Sequence, residues 1–151
     1  MTILAAVDEK GNSTPIVRTA RELATAFDEE LVVLHVIPEN DAQEHFESIR
    51  LIEEFRDAPF DVEIERAEEI ASTLAESVLE VTEERSVIPA GRVGEPVEEI
   101  LSYIEANEPR YVVIGSRKRS PVGKAAFGSV AQSVILRSDQ PVVTKKIEGR
   151  M

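Results

Sequence analysis

Two hydrophobic periods alternate along this chain, and that alternation limits its possible folds more than any other feature. Short, nearly all-apolar runs occur at Thr2–Val7 (TILAAV), Leu31–Ile37 (LVVLHVI), Ser86–Ala90, Tyr111–Ile114 (YVVI) and Pro141–Lys145 (PVVTK). Their length and β-branched content read as strands. Between them, apolar residues recur at helical spacing. Ile16, Ala20, Leu23, Ala24 and Phe27 share one face, and Ala67, Ile70, Ala71, Leu74, Val78 and Val81 form a stripe through about Ile64 to Glu84. A third helix starts at Glu95-Pro96 and buries Val97, Ile100, Leu101 and Ile104; a fourth runs from about Gly128 to Arg137. Strands alternating with helices imply a parallel sheet covered on both faces, with right-handed crossovers. The expected fold class is therefore α/β: a five-stranded parallel sheet sandwiched by helices, Rossmann-like.

Turn chemistry sets the expected boundaries. Asp8-Glu9-Lys10-Gly11-Asn12-Ser13 is a turn cluster, after which Thr14 reads as an N-cap with Pro15 at the first helical position. Pro38 stops the second strand, Gly91-Arg92-Val93-Gly94 reads as a loop, Gly115 cuts off the fourth strand, and a polar loop follows from Ser116 to Lys124. Residues 39–63 are the least regular: Phe46, Ile49, Leu51, Ile52 and Phe55 suggest an amphipathic piece, but Ala58-Pro59 interrupts it. With no repeat and no linker, residues 1–146 are expected to form a single domain. Ile147-Glu148-Gly149-Arg150 matches a protease recognition sequence of the kind added in cloning, so residues 147–151 are set apart as a tail.

Composition removes several function classes. A chain of 151 residues suits one core, and 42% hydrophobic content is too apolar for intrinsic disorder. The absence of Cys removes disulfides and thiolate metal sites and suits a reducing compartment. The longest apolar runs are four or five residues, against the ~20 needed to cross a bilayer. No basic-plus-apolar leader opens the sequence, so a cytoplasmic location without membrane contact is expected. The net charge of −12 argues against nucleic acid as a partner. Charge is unevenly spread: residues 1–109 hold 27 acids and 8 bases, or −19, and residues 110–151 hold 2 acids and 9 bases, or +7. This is either an acidic solvated surface with a basic C-terminal third, or a local anion site within a repulsive field.

In an open parallel sheet, ligands sit beyond the carboxyl ends of the strands, where strand order reverses. The residues there are Asp8, Val36, Ile37, Gly91 and Gly115. The segment from Ile114 to Val130 adds chemistry to that position. Gly115 lets the backbone approach a ligand or turn sharply. Gly128-Ser129 at a helix start exposes unpaired N–H groups and the positive end of the helix dipole, a seat for phosphate. Arg117, Lys118, Arg119 and Lys124 surround it with positive charge. The same residues also read as a turn glycine, a capping Ser129 and solvated bases, and Asp8 also reads as a turn former. Other motifs are absent. Gly123-Lys124 is followed by Ala125, which breaks a P-loop; no GxGxxG follows the first strand, and there is no GxSxG or HExxH. His35 and His45 have no metal spacing and read as core or surface residues.

Several motifs in order carry a family resemblance. They are Ile3-Leu4-Ala5-Ala6-Val7-Asp8, Leu34-His35-Val36-Ile37, Gly91-Arg92-Val93-Gly94-Glu95-Pro96, Val112-Val113-Ile114-Gly115-Ser116-Arg117, Phe127-Gly128-Ser129-Val130 and Gln140-Pro141-Val142-Val143. Over about residues 2–146 the chain resembles the universal stress proteins. The resemblance implies strand order 3-2-1-4-5 and a homodimer formed through the last strand, Pro141–Lys145. That strand ends the chain at a sheet edge whose free N–H and C=O groups a second copy would satisfy; Lys145 and Lys146 are alternatively charges that blunt a free edge.

Family members that bind ATP are similar in carrying Gly-x2-Gly-x9-Gly-Ser/Thr after the fourth strand. Gly115, Gly128 and Ser129 match, but Lys118 stands at the second glycine position. If that position needs positive φ, a non-glycine residue costs about 1–3 kcal/mol; against this, Arg117 and Lys118 offer charge-assisted hydrogen bonds to phosphate. Carried over by position, the resemblance implies Ala6, Asp8, Val36 and Ile114 on the adenine and ribose side, and Gly115, Gly128, Ser129 and Val130 on the phosphate side. The expectation is an ATP-binding regulatory module acting on a protein partner, with Mg²⁺ accompanying the phosphates and little or no catalysis. The alternative is a dimeric interaction module of the same fold that binds no ATP.

Overall fold

The computed structural model describes residues 1–7, 13–38, 61–78, 87–118, 125–126 and 128–147. In chain order these form β1 (Thr2–Val7), α1 (Thr14–Phe27), β2 (Glu30–Pro38), α2 (Asp61–Val78), β3 (Val87–Gly94), α3 (Pro96–Asn107), β4 (Tyr111–Lys118), β5 (Ala125–Ala126), α4 (Ser129–Arg137) and β6 (Val142–Ile147). The parallel strands lie in the order β3-β2-β1-β4-β6, which is 3-2-1-4-5 when only they are counted. The two-residue β5 pairs antiparallel with the end of β4.

Strand β2 is apolar throughout because both of its faces are covered: every residue from Leu31 to Ile37 is buried. On one face Ile3, Ala5, Leu31, Val33 and Val113 pack against Ile16, Val17, Ala20 and Ala24 of α1 and Ala71 and Ala75 of α2. On the other, Leu4, Val32, Leu34, Val36, Val112 and Ile114 meet Ile100 and Ile104 of α3 and Ala131 and Val134 of α4. Each fully buried Val, Leu or Ile contributes about 1.5–3 kcal/mol, so these two layers drive the fold. His35 is a core residue, 4% exposed, with Nδ1 3.2 Å from the carbonyl oxygen of Val7.

Helix ends follow local chemistry. The N-cap of α1 is Ser13, so Thr14 is the first helical residue and not the cap. Glu95 caps α3, its carboxylate accepting from the Glu98 amide at 2.8 Å. Both helices end in a left-handed residue, Asp28 (φ 54°) and Glu108 (φ 43°), whose amide reaches back to the last turn.

Several expected boundaries shift. Gly91–Gly94 is strand and not loop, because β2 runs to Pro38 and pairs with each of these residues. Gly91 is also where α2 presses closest: a Cβ there would lie 2.5 Å from the Glu68 amide nitrogen and 2.6 Å from the Ile64 carbonyl oxygen. Strand β4 does not stop at Gly115 but continues to Lys118, since β6 supplies partners from Val112 to Arg117. Ile147 belongs to β6 and packs on the core, so the fold extends into the segment set apart as a tail. Helix α2 begins at Asp61 and is followed to Val78; residues 39–60, with the expected excursion, and 79–86 lie outside the described residues.

Candidate functional site

Strands β1 and β4 part company at their carboxyl ends. Their pairing runs Ile3–Tyr111, Leu4–Val112 and Ala5–Val113 and then stops. Beyond it, β1 stays paired with β2 as far as Val7, while β4 continues to Lys118 alongside β6. The crevice therefore opens where strand order reverses, because β2 and β3 lie to one side of β1 and β4 and β6 to the other. Open parallel sheets admit ligands at such a point.

Four expected site residues converge on one face of this crevice. Val36 and Ile114 are buried in the layer beneath α3 and α4, and Ala6 and Val130 pack against the same cluster. Alternation along β4 places Ser116, 5% exposed, on that face too, one step nearer the strand end. Gly115 falls on the opposite face, beneath α1. A Cβ on Gly115 would overlap Cδ1 of Ile147 and lie 2.9 Å from Cδ1 of Ile16. Packing by itself is a sufficient reason for glycine at this position.

Gly128 has a different character. It is the N-cap of α4 with φ −64° and ψ 162°, a conformation open to any residue, and an added Cβ would meet no atom of the described residues within 4 Å. Neither backbone strain nor packing within the described residues demands glycine there. No side chain caps this helix, and its first internal hydrogen bond is from the Gln132 amide to the Gly128 carbonyl at 3.0 Å. The amides of Ser129, Val130 and Ala131 are therefore left without intrahelical acceptors. Ser129, read alternatively as a cap, is instead the exposed first residue of α4. Because α4 connects β4 to the parallel β6, its N-terminus lies at the carboxyl ends of the strands, beside the crevice.

Lys118 is extended, pairs with Ala125, and does not have positive φ; among the described non-glycine residues only Asp28 and Glu108 do. The expected strain at the second motif position is therefore absent. Lengthening β4 and adding β5 accommodates lysine. The side chains of Arg117 and Lys118, together with Asp8 and Phe127, lie outside the described residues.

The charged pairs that are described frame the site and do not enter it. Arg137 of α4 holds Glu98 of α3 at 2.8 Å, and that hydrogen bond keeps the Glu98 carboxyl below its usual range. Arg92 donates to the Gly91 carbonyl at 2.6 Å and stacks 5.3 Å from the centre of the Tyr103 ring. Burial pushes the Tyr103 phenol up, against the opposing effect of Arg92. At the amino end of the sheet, Arg110 pairs with Glu29 at 2.7 Å and lies 4.8 Å over the Phe27 ring. No helix among the described residues is long and apolar enough to cross a membrane.

Comparison with known proteins adds independent findings. The family model described as the universal stress protein family matches residues 1–146. A universal stress protein of Mycolicibacterium smegmatis is 42% identical over 52 residues, covering 34% of this chain and 40% of that relative's length. The solved universal stress protein from Archaeoglobus fulgidus is similar at TM-score 0.65 and 27% identity, over 95% of this chain and 97% of that one. A universal stress protein from the same organism, solved in complex with dAMP, is similar at TM-score 0.56 and 23% identity, over 95% of this chain and 96% of that one. At that lower identity the likeness speaks for the fold alone.

Proposed function

The chain belongs to the universal stress protein family, and from that premise we propose that it is an ATP-binding regulatory module with little or no catalysis. The observation that carries this reading is Gly128: a glycine at the N-terminus of α4 that neither its dihedral angles nor its neighbours among the described residues require. Free space at that Cβ position, next to three amides without intrahelical acceptors, suits close approach by a phosphoryl group. The purine and ribose would lie against Ala6, Val36 and Ile114, with Asp8 accepting a hydrogen bond from base or ribose. The phosphates would meet Ser129, Val130 and the cationic side chains of Arg117 and Lys118. Gly115 would contribute its backbone. The dAMP bound by a relative supports a nucleotide of this class, and Mg²⁺ would accompany the triphosphate as a hydrated ion, since it keeps several waters in such sites.

Nucleotide occupancy would bias the segment between β4 and α4, and through it a surface read by a protein partner. The basic balance of residues 110–151 favours an anion here despite the overall charge of −12. A homodimer through the outer edge of β6 goes with this reading: β6 pairs only with β4 among the described strands, and Thr144, Lys145 and Lys146 are exposed.

A second reading, a dimeric interaction module that binds no ATP, draws support from Gly115, whose place in the motif is explained by packing against Ile147 and Ile16. Calorimetric titration of the full chain with Mg-ATP separates the two. Saturable binding below millimolar concentration is expected; no heat at millimolar ATP, with the protein folded, rejects the first reading.

A further inference from the structure

We propose that β5 is an intramolecular gate: paired to β4, it occupies the outer end of the crevice, and a nucleotide binds by displacing it. Such a gate rests on the nucleotide-binding reading and adds to it the element through which that site is regulated.

Strand register places β5 in the crevice. From Val112 to Arg117 one edge of β4 is taken by β6, parallel and residue for residue. Arg117 and Lys118 also pair, antiparallel, with Ala126 and Ala125. Arg117 thus has a strand partner on each side, and β5 lies on the edge away from β6. That is the edge β1 follows as far as the Ala5–Val113 pair and then leaves. Between the end of β1 and β5, only Ile114, Gly115 and Ser116 lack a partner on this edge among the described strands, a lane of roughly 10 Å at strand spacing. One residue separates Ala126 from Gly128, the N-cap of α4. A ligand reaching from Ala6 and Val36 to that helix start therefore competes with β5 for the same lane.

The pairing is weak enough to yield. Strand β5 is two residues long, against six register pairs that tie β4 to β6, and each backbone hydrogen bond in so short a pair adds little net stability. Binding-site lids are drawn from elements that open at such small cost. A ligand that binds only the open state shifts the balance toward it.

The test compares the full wild-type chain with Ala126→Pro, in which proline removes a backbone N–H and interrupts the ladder. Mg-ATP affinity and melting temperature are measured for both, and hydrogen exchange at Ala125 and Ala126 is followed in the wild type with and without Mg-ATP. Ala126→Pro is expected to bind Mg-ATP about tenfold more tightly, as for release of roughly one net hydrogen bond, at an unchanged melting temperature. Saturating Mg-ATP is expected to speed exchange at Ala125 and Ala126. Binding by Ala126→Pro alone is the extreme form of the same result. Equal or weaker binding by Ala126→Pro, or exchange that slows or stays the same when ATP binds, overturns the gate and leaves the nucleotide-binding reading intact. A lowered melting temperature also overturns it, by showing β5 to be a structural strand. If neither chain binds Mg-ATP, the gate and the reading beneath it both fall.

Discussion

Gly115 and Ile147 are packed so closely that a Cβ on the glycine would clash with Cδ1 of the isoleucine. The contact joins β4 to the final strand across the face covered by α1, where Ile16 closes the other side. It gives the first glycine of the motif a purely internal reason to exist. The offending atoms are the mobile tips of two isoleucine side chains, so Gly115→Ala is expected to cost only about 1 kcal/mol, the low end for overpacking. Urea unfolding of Gly115→Ala, alone and combined with Ile147→Ala, checks this. The second substitution should restore part of the loss, and additive losses would contradict the contact.

Gly91 is a harsher case. There the added Cβ meets the backbone of α2 at Glu68 and Ile64 and the Cβ of Ala67 at 2.7 Å. Backbone cannot step aside as a side-chain tip can, so α2 must lift from β3. Gly91→Ala is expected to cost about 3 kcal/mol or more. A chain that unfolds at the wild-type urea midpoint would show that α2 is not clamped there.

Gly128 should behave in the opposite sense. Gly128→Val places its side chain in space that none of the described residues occupies, with a loss of stability of about 1 kcal/mol or less from the poorer cap. The same side chain would occupy the proposed phosphate seat, so ATP binding is expected to vanish while the fold persists. Lys118→Gly, which relieves no strain and removes a proposed cationic contact to phosphate, is expected to weaken binding. Titration of both variants with ATP measures this, and unchanged affinity in both would put the phosphate elsewhere.

The Arg110–Glu29 pair predicts a pH signature. The Glu29 side chain is 9% exposed, and the hydrogen bond from Arg110 holds its carboxyl below the usual range, against the opposing effect of burial. The folded pKa therefore lies below the unfolded one. Between the two values the unfolded chain binds the extra proton, so stability rises with pH in that window. The contribution is complete above the unfolded carboxylate value, about pH 4–5, and is lost as pH falls through the lowered folded value. Relative to the wild type, Glu29→Gln should be destabilised at pH 7, with a gap that closes toward pH 3. A gap independent of pH would mean that the carboxylate charge is not what matters.

The dimer prediction is checked by mass in solution. Pairing through β6 predicts twice the chain mass at micromolar concentration. A monomer would assign Lys145 and Lys146 to protecting a free edge.

Strand and helix periodicity, being local, determined the architecture from the sequence alone: apolar runs such as LVVLHVI demand cover on two faces, and the motifs around Asp8, Gly115 and Gly128 pointed to the carboxyl ends of the strands. Turn residues misled where a tertiary partner was available. Gly91–Gly94 and Gly115–Arg117 carry loop chemistry, yet β2 and β6 offer them ladders, and a backbone with a partner in register extends. Only the tertiary structure decided which motif glycine is crowded by the described residues and which is not, because the atoms that crowd Gly115, on Ile16 and Ile147, come from opposite ends of the chain.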